Sequence, residues 1–145
     1  KANADTNGKV INQMIDEYVT LHPEKAIAFT SLGQLRYLSA LQYVDGVVGN
    51  SSSGLVEVPS FKICTINIGD RQRGRIKADS VIDCDTSVES IQSSLNKLFS
   101  PLFQEQLQQI KNPYGNGGAS KKIVEIIRIF SLDRVLKKRF YNINF

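Results

Sequence analysis

Apolar positions recur along this chain with a period that keeps changing. Val10, Ile11, Met14, Ile15, Tyr18 and Val19 stand three or four apart, so they line one face of a helix. The spacing predicts a helix over about residues 7–21, with Asp5 or Thr6 as its cap. The short apolar run 26–30, just after Pro23, reads as a strand, and Leu35, Leu38, Leu41 and Tyr43 predict a second helix that Asp45-Gly46 ends. Val47-Val48 reads as a buried strand, residues 55–58 as a short helix, and residues 64–68 and 81–84 as two further strands. Ile91, Leu95 and Leu98 mark another helix. Ile123, Val124, Ile126, Ile127 and Ile129 mark the last one, beyond the loop 112–118. Alternating strands and helices with short connections predict an α/β three-layer domain, a parallel sheet covered by helices. No internal repeat or low-complexity tract interrupts the pattern.

Composition narrows the class without changing it. With 145 residues, 41% of them hydrophobic and 22% charged, the chain suits one domain with a proper core. No apolar run approaches the ~20 residues that cross a bilayer, and the opening Lys1-Ala2-Asn3-Ala4-Asp5 carries no apolar signal segment. The expectation is a cytoplasmic protein with no membrane partner. Cys64 and Cys84 have no neighbouring cysteine to form a metal-type pair, so they read as reduced thiols on strands. No set of metal ligands stands out, and neither a metal nor a cofactor is expected. The net charge of +4 concentrates in residues 121–139, where seven Lys or Arg face two acidic residues. A basic helix face with no aromatic platform beside it does not point to nucleic acid.

Candidate chemistry gathers where strands hand over to helices, since ligands in open α/β sheets bind at the carboxyl ends of the strands. GNSSSG, residues 49–54, occupies such a place. Unpaired backbone amides at a helix start, together with the hydroxyls of Ser51, Ser52 and Ser53, suit a phosphate. The same serines also serve as ordinary caps, and spacing alone leaves both readings open. Glu57 stands a turn further on, where it can accept from a sugar diol or reciprocate a cap at Gly54. Pro59 predicts that this helix is short or kinked.

The second stretch is GDRQRGRIKA, residues 69–78, after the strand 64–68. Arg71, Arg73, Arg75 and Lys77 bring positive charge to the same sheet edge, and guanidinium groups match phosphate oxygens in a bidentate fork. A solvated loop is the plainer reading for Arg73 and Lys77. Gly69 and Gly74 suggest backbone approach to something bound. Residues 112–118, NPYGNGG, form a third glycine-rich loop, read as a turn or as a loop that closes on a ligand. His22, the one histidine, follows a surface helix and reads as a helix-end residue.

VVGNSSSGLVEVPSFKICTINIGDRQRGRIKADSVID, with ANADTNG near the start and NPYGNGGAS later, resembles the hydrolysing UDP-N-acetylglucosamine 2-epimerases of the sialic-acid and legionaminic-acid type. The resemblance spans about residues 3–127, and GNSSSG with INIGDRQRGR is far more specific than either motif alone. It implies a Rossmann-like, UDP-binding carboxyl-terminal domain, one half of a glycosyltransferase-B-type two-domain enzyme. Because Lys1 falls inside a family motif, the amino-terminal domain is expected to be missing. Also implied are a UDP-sugar substrate, Ser51 and Ser52 on the diphosphate with Ser53 and Gly54 beside them, and Glu57 on the uridine ribose. Leu32 would meet the uracil through its backbone, and Arg71 would act catalytically beside the leaving phosphate. Asn3 and Asp5 match a family turn near the cleft, or cap the first helix.

The implied reaction removes the C2 proton, expels UDP to leave a glycal, and adds water, giving N-acetylmannosamine or a 2,4-diacetamido relative. The acid and base would lie mostly in the missing domain, so the isolated chain is expected to be inactive. A non-hydrolysing epimerase, a glycosyltransferase of the same fold and a non-catalytic UDP-binding module are the alternatives. Homo-oligomer formation is left open. Residues 128–145 are expected to form a terminal helix or tail packing on a neighbour, because Phe130, Leu132, Val135, Leu136, Phe140 and Tyr141 are too apolar for a free end.

Overall fold

The computed structural model describes residues 8–133. They form α1 (Gly8–Leu21), α2 (Gly33–Ala40), β1 (Gly46–Gly49), α3 (Ser53–Val56), a 3-10 turn (Val58–Phe61), β2 (Cys64–Ile68), β3 (Val81–Cys84), α4 (Val88–Leu98), α5 (Pro101–Leu107) and α6 (Ala119–Ile129). The chain divides into two compact units, the first ending at Pro113 and the second beginning at Tyr114.

In the first unit the three strands lie in the order β1-β2-β3, all parallel. Gly49 pairs with Asn67 and Ile68 with Cys84, so every carboxyl end points the same way. β2 is central and buried on both sides, as a parallel strand covered by helices requires. Its side chains alternate between faces. Cys64 and Ile66, with Ile82 and Cys84 of β3, pack into a core against Leu98 of α4 and Phe103 and Leu107 of α5. Thr65 and Asn67 turn to the opposite face, where the Thr65 hydroxyl donates to the Gly54 carbonyl of α3 at 2.8 Å. Helices therefore cover both faces, the expected α/β, Rossmann-like arrangement.

Local chemistry explains the element ends. Ser87, in extended backbone, caps α4 by accepting from the Ser90 amide, while Glu89 and Lys97 suit the dipole at its two ends. Pro59 lacks an amide, and the chain does change from α3 to the 3-10 turn immediately before it. His22 ends α1 as expected, its amide donating to the Tyr18 carbonyl and its ring 4.6 Å from the Tyr18 ring.

One expectation needs correction, and one element goes beyond the sequence reading. Residues 26–30 form no strand, because no described strand pairs with them, and Ile27 and Phe29 stand exposed. α5 was not expected at all. Its signals were Ser100 ahead of Pro101 and the four-residue spacing of Phe103 and Leu107, both buried.

In the second unit, α6 runs to Ile129, and Phe130 leaves it in extended backbone. Ile123, Val124, Ile126 and Ile127 are all exposed. The terminal helix expected to continue through Val135, Leu136, Phe140 and Tyr141 lies outside the described residues, as do Asn3, Asp5 and Thr6.

Candidate functional site

A cleft of about 800 Å³ opens at the carboxyl end of β1, a size suited to a small organic ligand. Its walls include Leu32, Ser51, Ser53 and Glu57, four of the residues singled out in the sequence, together with Phe29 and Tyr37. Ser52, Gly54 and Arg71 are not on that wall. Residues 26–30, expected as a strand, instead contribute Phe29 and Thr30 to the cleft.

The serine loop is not held by ordinary capping. Ser52 makes no side-chain cap, and the Ser51 hydroxyl accepts from the Ser53 amide only at a long 3.4 Å. Ser53 shares a 2.5 Å hydrogen bond with the Tyr37 hydroxyl, which joins α2 to α3 across the cleft. Leu32 occupies the start of α2, and the Ser31 hydroxyl accepts from the Gly33 amide at 3.1 Å. The reciprocal cap between Gly54 and Glu57 does not form, because Ser52 rather than Gly54 precedes α3. Glu57 ends α3 and opens the 3-10 turn, half-buried and part of the cleft wall.

The arginine loop after β2 lies at the same end of the sheet. Gln72 of that loop donates its side-chain amide to the Asn50 carbonyl at 2.7 Å, a direct link between the two loops. Arg71, Arg73 and Arg75 are exposed around it. Gly69 and Gly74 have φ of +76° and +78°, so the turn itself accounts for both glycines. Lys77, read as a solvated cation, is instead paired with Asp83 of β3 at 2.7 Å. Asn67 also donates to Asp83, at 2.7 Å. Burial works against the Asp83 charge, but the hydrogen bonds from Lys77 and Asn67 and the nearby ammonium outweigh it, holding the carboxyl below its ordinary range.

Several long-range contacts had no counterpart in the sequence reading. Besides Gln72, Asn112 at the start of the third glycine-rich loop donates to the Val56 carbonyl at 2.8 Å and the Ser60 hydroxyl at 2.7 Å. It thereby brackets the turn that carries Glu57. Cys64 and Cys84 are free and buried, as expected of strand thiols. Burial, only partly opposed by the Lys97 charge, pushes the Cys64 thiol up to about 11, which makes it a poor nucleophile. Among the described residues no helix is long and apolar enough to cross a membrane, and no three His, Cys, Asp or Glu side chains cluster as metal ligands.

The arrangement offers serine hydroxyls, an acidic residue and two aromatic residues on one cleft at the strand end, with cations on the neighbouring loop. Residues 1–128 match the model of a family described as UDP-N-acetylglucosamine 2-epimerase. The chain is 40% identical over 144 residues, 99% of its own length, to a protein of Campylobacter jejuni named GDP/UDP-N,N'-diacetylbacillosamine 2-epimerase (hydrolyzing), and covers 37% of it. It is 39% identical over 132 residues to the polysialic acid biosynthesis protein P7 of Escherichia coli, covering 89% of this chain and 32% of that protein. A UDP-N,N'-diacetylbacillosamine 2-epimerase (hydrolyzing) of Legionella pneumophila is 31% identical over 137 residues, 94% of this chain and 35% of the relative. The chain thus spans about a third of the length of these curated relatives. On the family match over residues 1–128, the chain belongs to the UDP-N-acetylglucosamine 2-epimerase family.

Proposed function

We propose that this chain is the UDP-binding half of a two-domain, glycosyltransferase-B-type enzyme, a hydrolysing UDP-sugar 2-epimerase. The observation that carries the reading is the cleft gathering Leu32, Ser51, Ser53 and Glu57 at the end of β1, beside the arginine loop tied on by Gln72. Ser51 and Ser52, with Ser53 and Gly54, receive the diphosphate in this reading. Glu57 accepts from the ribose hydroxyls, and the backbone at Leu32 meets the uracil. Arg71 acts on the departing phosphate, where negative charge grows as the C1–O bond breaks.

The reaction removes the C2 proton and expels UDP with the bonding electrons, leaving a glycal. Water then adds across the double bond to give the free 2-epimeric sugar. The groups that move the protons belong to the remainder of the protein. Two relatives are named for N,N'-diacetylbacillosamine, which supports a sugar with two acetamido groups over UDP-GlcNAc itself. The two buried free thiols fit a reducing compartment, and we place the enzyme in the cytoplasm.

Proton NMR of the full-length protein with UDP-GlcNAc and its 4-acetamido-6-deoxy analogue tests this directly. The expected result is one UDP released for each free 2-epimeric sugar, with the analogue turned over faster. An epimerised UDP-sugar with no UDP release would make the enzyme non-hydrolysing. A requirement for a sugar acceptor would make it a glycosyltransferase.

A further inference from the structure

We propose that Gln72 is a positioning residue for the nucleotide cleft, fixing the shape of the serine loop and its spacing from Arg71. The proposal rests on the reading of that loop as the UDP cradle. Gln72 is only 4% exposed, although Arg71 before it and Arg73 after it are both exposed. Confining a long glutamine side chain costs rotamer freedom, so its burial needs a compensating contact. That contact is the 2.7 Å bond from Nε2 to the carbonyl of Asn50, a residue 22 positions earlier in the chain. Asn50 immediately precedes Ser51, and Gln72 immediately follows Arg71. One bond thus joins the neighbours of two residues proposed to act on the same diphosphate.

The other half of the amide argues that this bond is there for the site and not for general stability. Oε1 of Gln72 is buried with no partner among the described residues. A buried acceptor left unpaired forfeits the hydrogen bonds it made to water in the unfolded chain, a net cost to stability. The amide cannot turn over to relieve this, because a carbonyl only accepts and Nε2 must face Asn50. An apolar side chain of the same length would fill the space without that cost, but it would release the loop. The rest of the loop is held from the α3 side, by the Ser53–Tyr37 hydroxyl bond, the Thr65–Gly54 bond and the backbone bonds that open α3, whereas Gln72 ties its Asn50 end to the arginine loop. A loop untethered before the ligand arrives must be ordered by the ligand, and affinity falls accordingly.

The test compares full-length wild-type protein with Gln72→Met and Gln72→Glu, by UDP titration calorimetry, hydrogen exchange and thermal unfolding. Gln72→Met removes the tether and the unpaired acceptor together. Its melting temperature is expected to stay near wild type, while exchange quickens at the amides of Ser51, Ser52 and Ser53 and UDP affinity falls about 2- to 10-fold. Gln72→Glu sets an acceptor against the Asn50 carbonyl and is expected to bind UDP more weakly still, despite its closer shape. Unchanged UDP affinity and local exchange in Gln72→Met overturn the proposal. So does a loss of affinity matched by a general loss of stability, with faster exchange across the whole sheet. A wild-type protein that binds no UDP would instead sink the nucleotide reading itself.

Discussion

Gly54 lies so close to Thr65 that a methyl group on its Cα would come within 2.5 Å of Thr65 Cγ2, and the Thr65 hydroxyl donates to the Gly54 carbonyl at 2.8 Å. This is how α3, and the serine loop leading into it, is seated on the central strand. Gly54→Ala is therefore expected to destabilise the protein by about 1–3 kcal/mol through overpacking. Adding Thr65→Ser removes the offending methyl but keeps the hydroxyl, so most of the loss should return. Urea unfolding of the two single variants and the double variant measures this. Gly54→Ala as stable as wild type would show that the contact can relax.

In the full-length enzyme, Arg71→Ala is expected to lower kcat more than Glu57→Ala does. A ribose contact is equally present in bound substrate and transition state, so its loss chiefly raises KM. Arg71 is proposed to face a charge that develops only as UDP leaves. Removing such a donor typically costs ~10²–10³ in kcat, and Arg73 and Arg75 nearby favour the lower end or somewhat less. Steady-state kinetics following UDP release separates the two roles. If Glu57→Ala lowered kcat as far as Arg71→Ala with KM constant, the roles would be misassigned.

The Lys77–Asp83 pair predicts a small, pH-dependent contribution to stability. The Asp83 carboxyl titrates below its ordinary range in the folded protein, so the folded state binds its proton less readily than the unfolded chain. The stabilisation is thus fully present above the unfolded aspartate pKa of about 3.9 and is lost as the pH falls through the lower folded value. Asp83 is more than half exposed, which limits the effect to under about 1 kcal/mol. Urea midpoints of wild type and Lys77→Met should differ at neutral pH and converge in acid. A constant gap across that range would remove the ion pair as its source.

Cys64 should resist alkylation for as long as the protein is folded. With its thiol pushed up to about 11, only about one molecule in a thousand carries the thiolate at pH 8, and the side chain is fully buried besides. Thiol titration with a chromogenic disulfide should show negligible native reaction and two equivalents after denaturation. Rapid labelling of Cys64 in the native state would contradict the packing of β2.

β2 and β3 were legible to the residue because each is a short apolar run whose ends coincide with the ends of its ladder. Residues 26–30 are just as apolar a run, but a strand also needs a neighbour, and composition carries no information about neighbours. The seat of Gly54 on Thr65 and the Gln72 tether join segments far apart along the chain, and the Lys77–Asp83 pair, though only six residues apart, depends on the loop folding back onto β3. For that reason Lys77 read as solvated and Gln72 drew no notice between two arginines. The serine loop was legible as a place on a strand end, whereas the side chains that hold it were not.

Asn112 grips the Val56 carbonyl from 56 positions further along the chain. At synthesis rates of about 5–20 residues per second, that donor is made roughly 3–11 s after the turn it secures. During that interval the nascent segment bearing Glu57 lacks its final clasp, even if β1 and β2 have already paired. The turn that carries Glu57 is therefore completed only by a residue made well after it, and a chain ending before residue 112 would present the serine loop and Glu57 without that clasp.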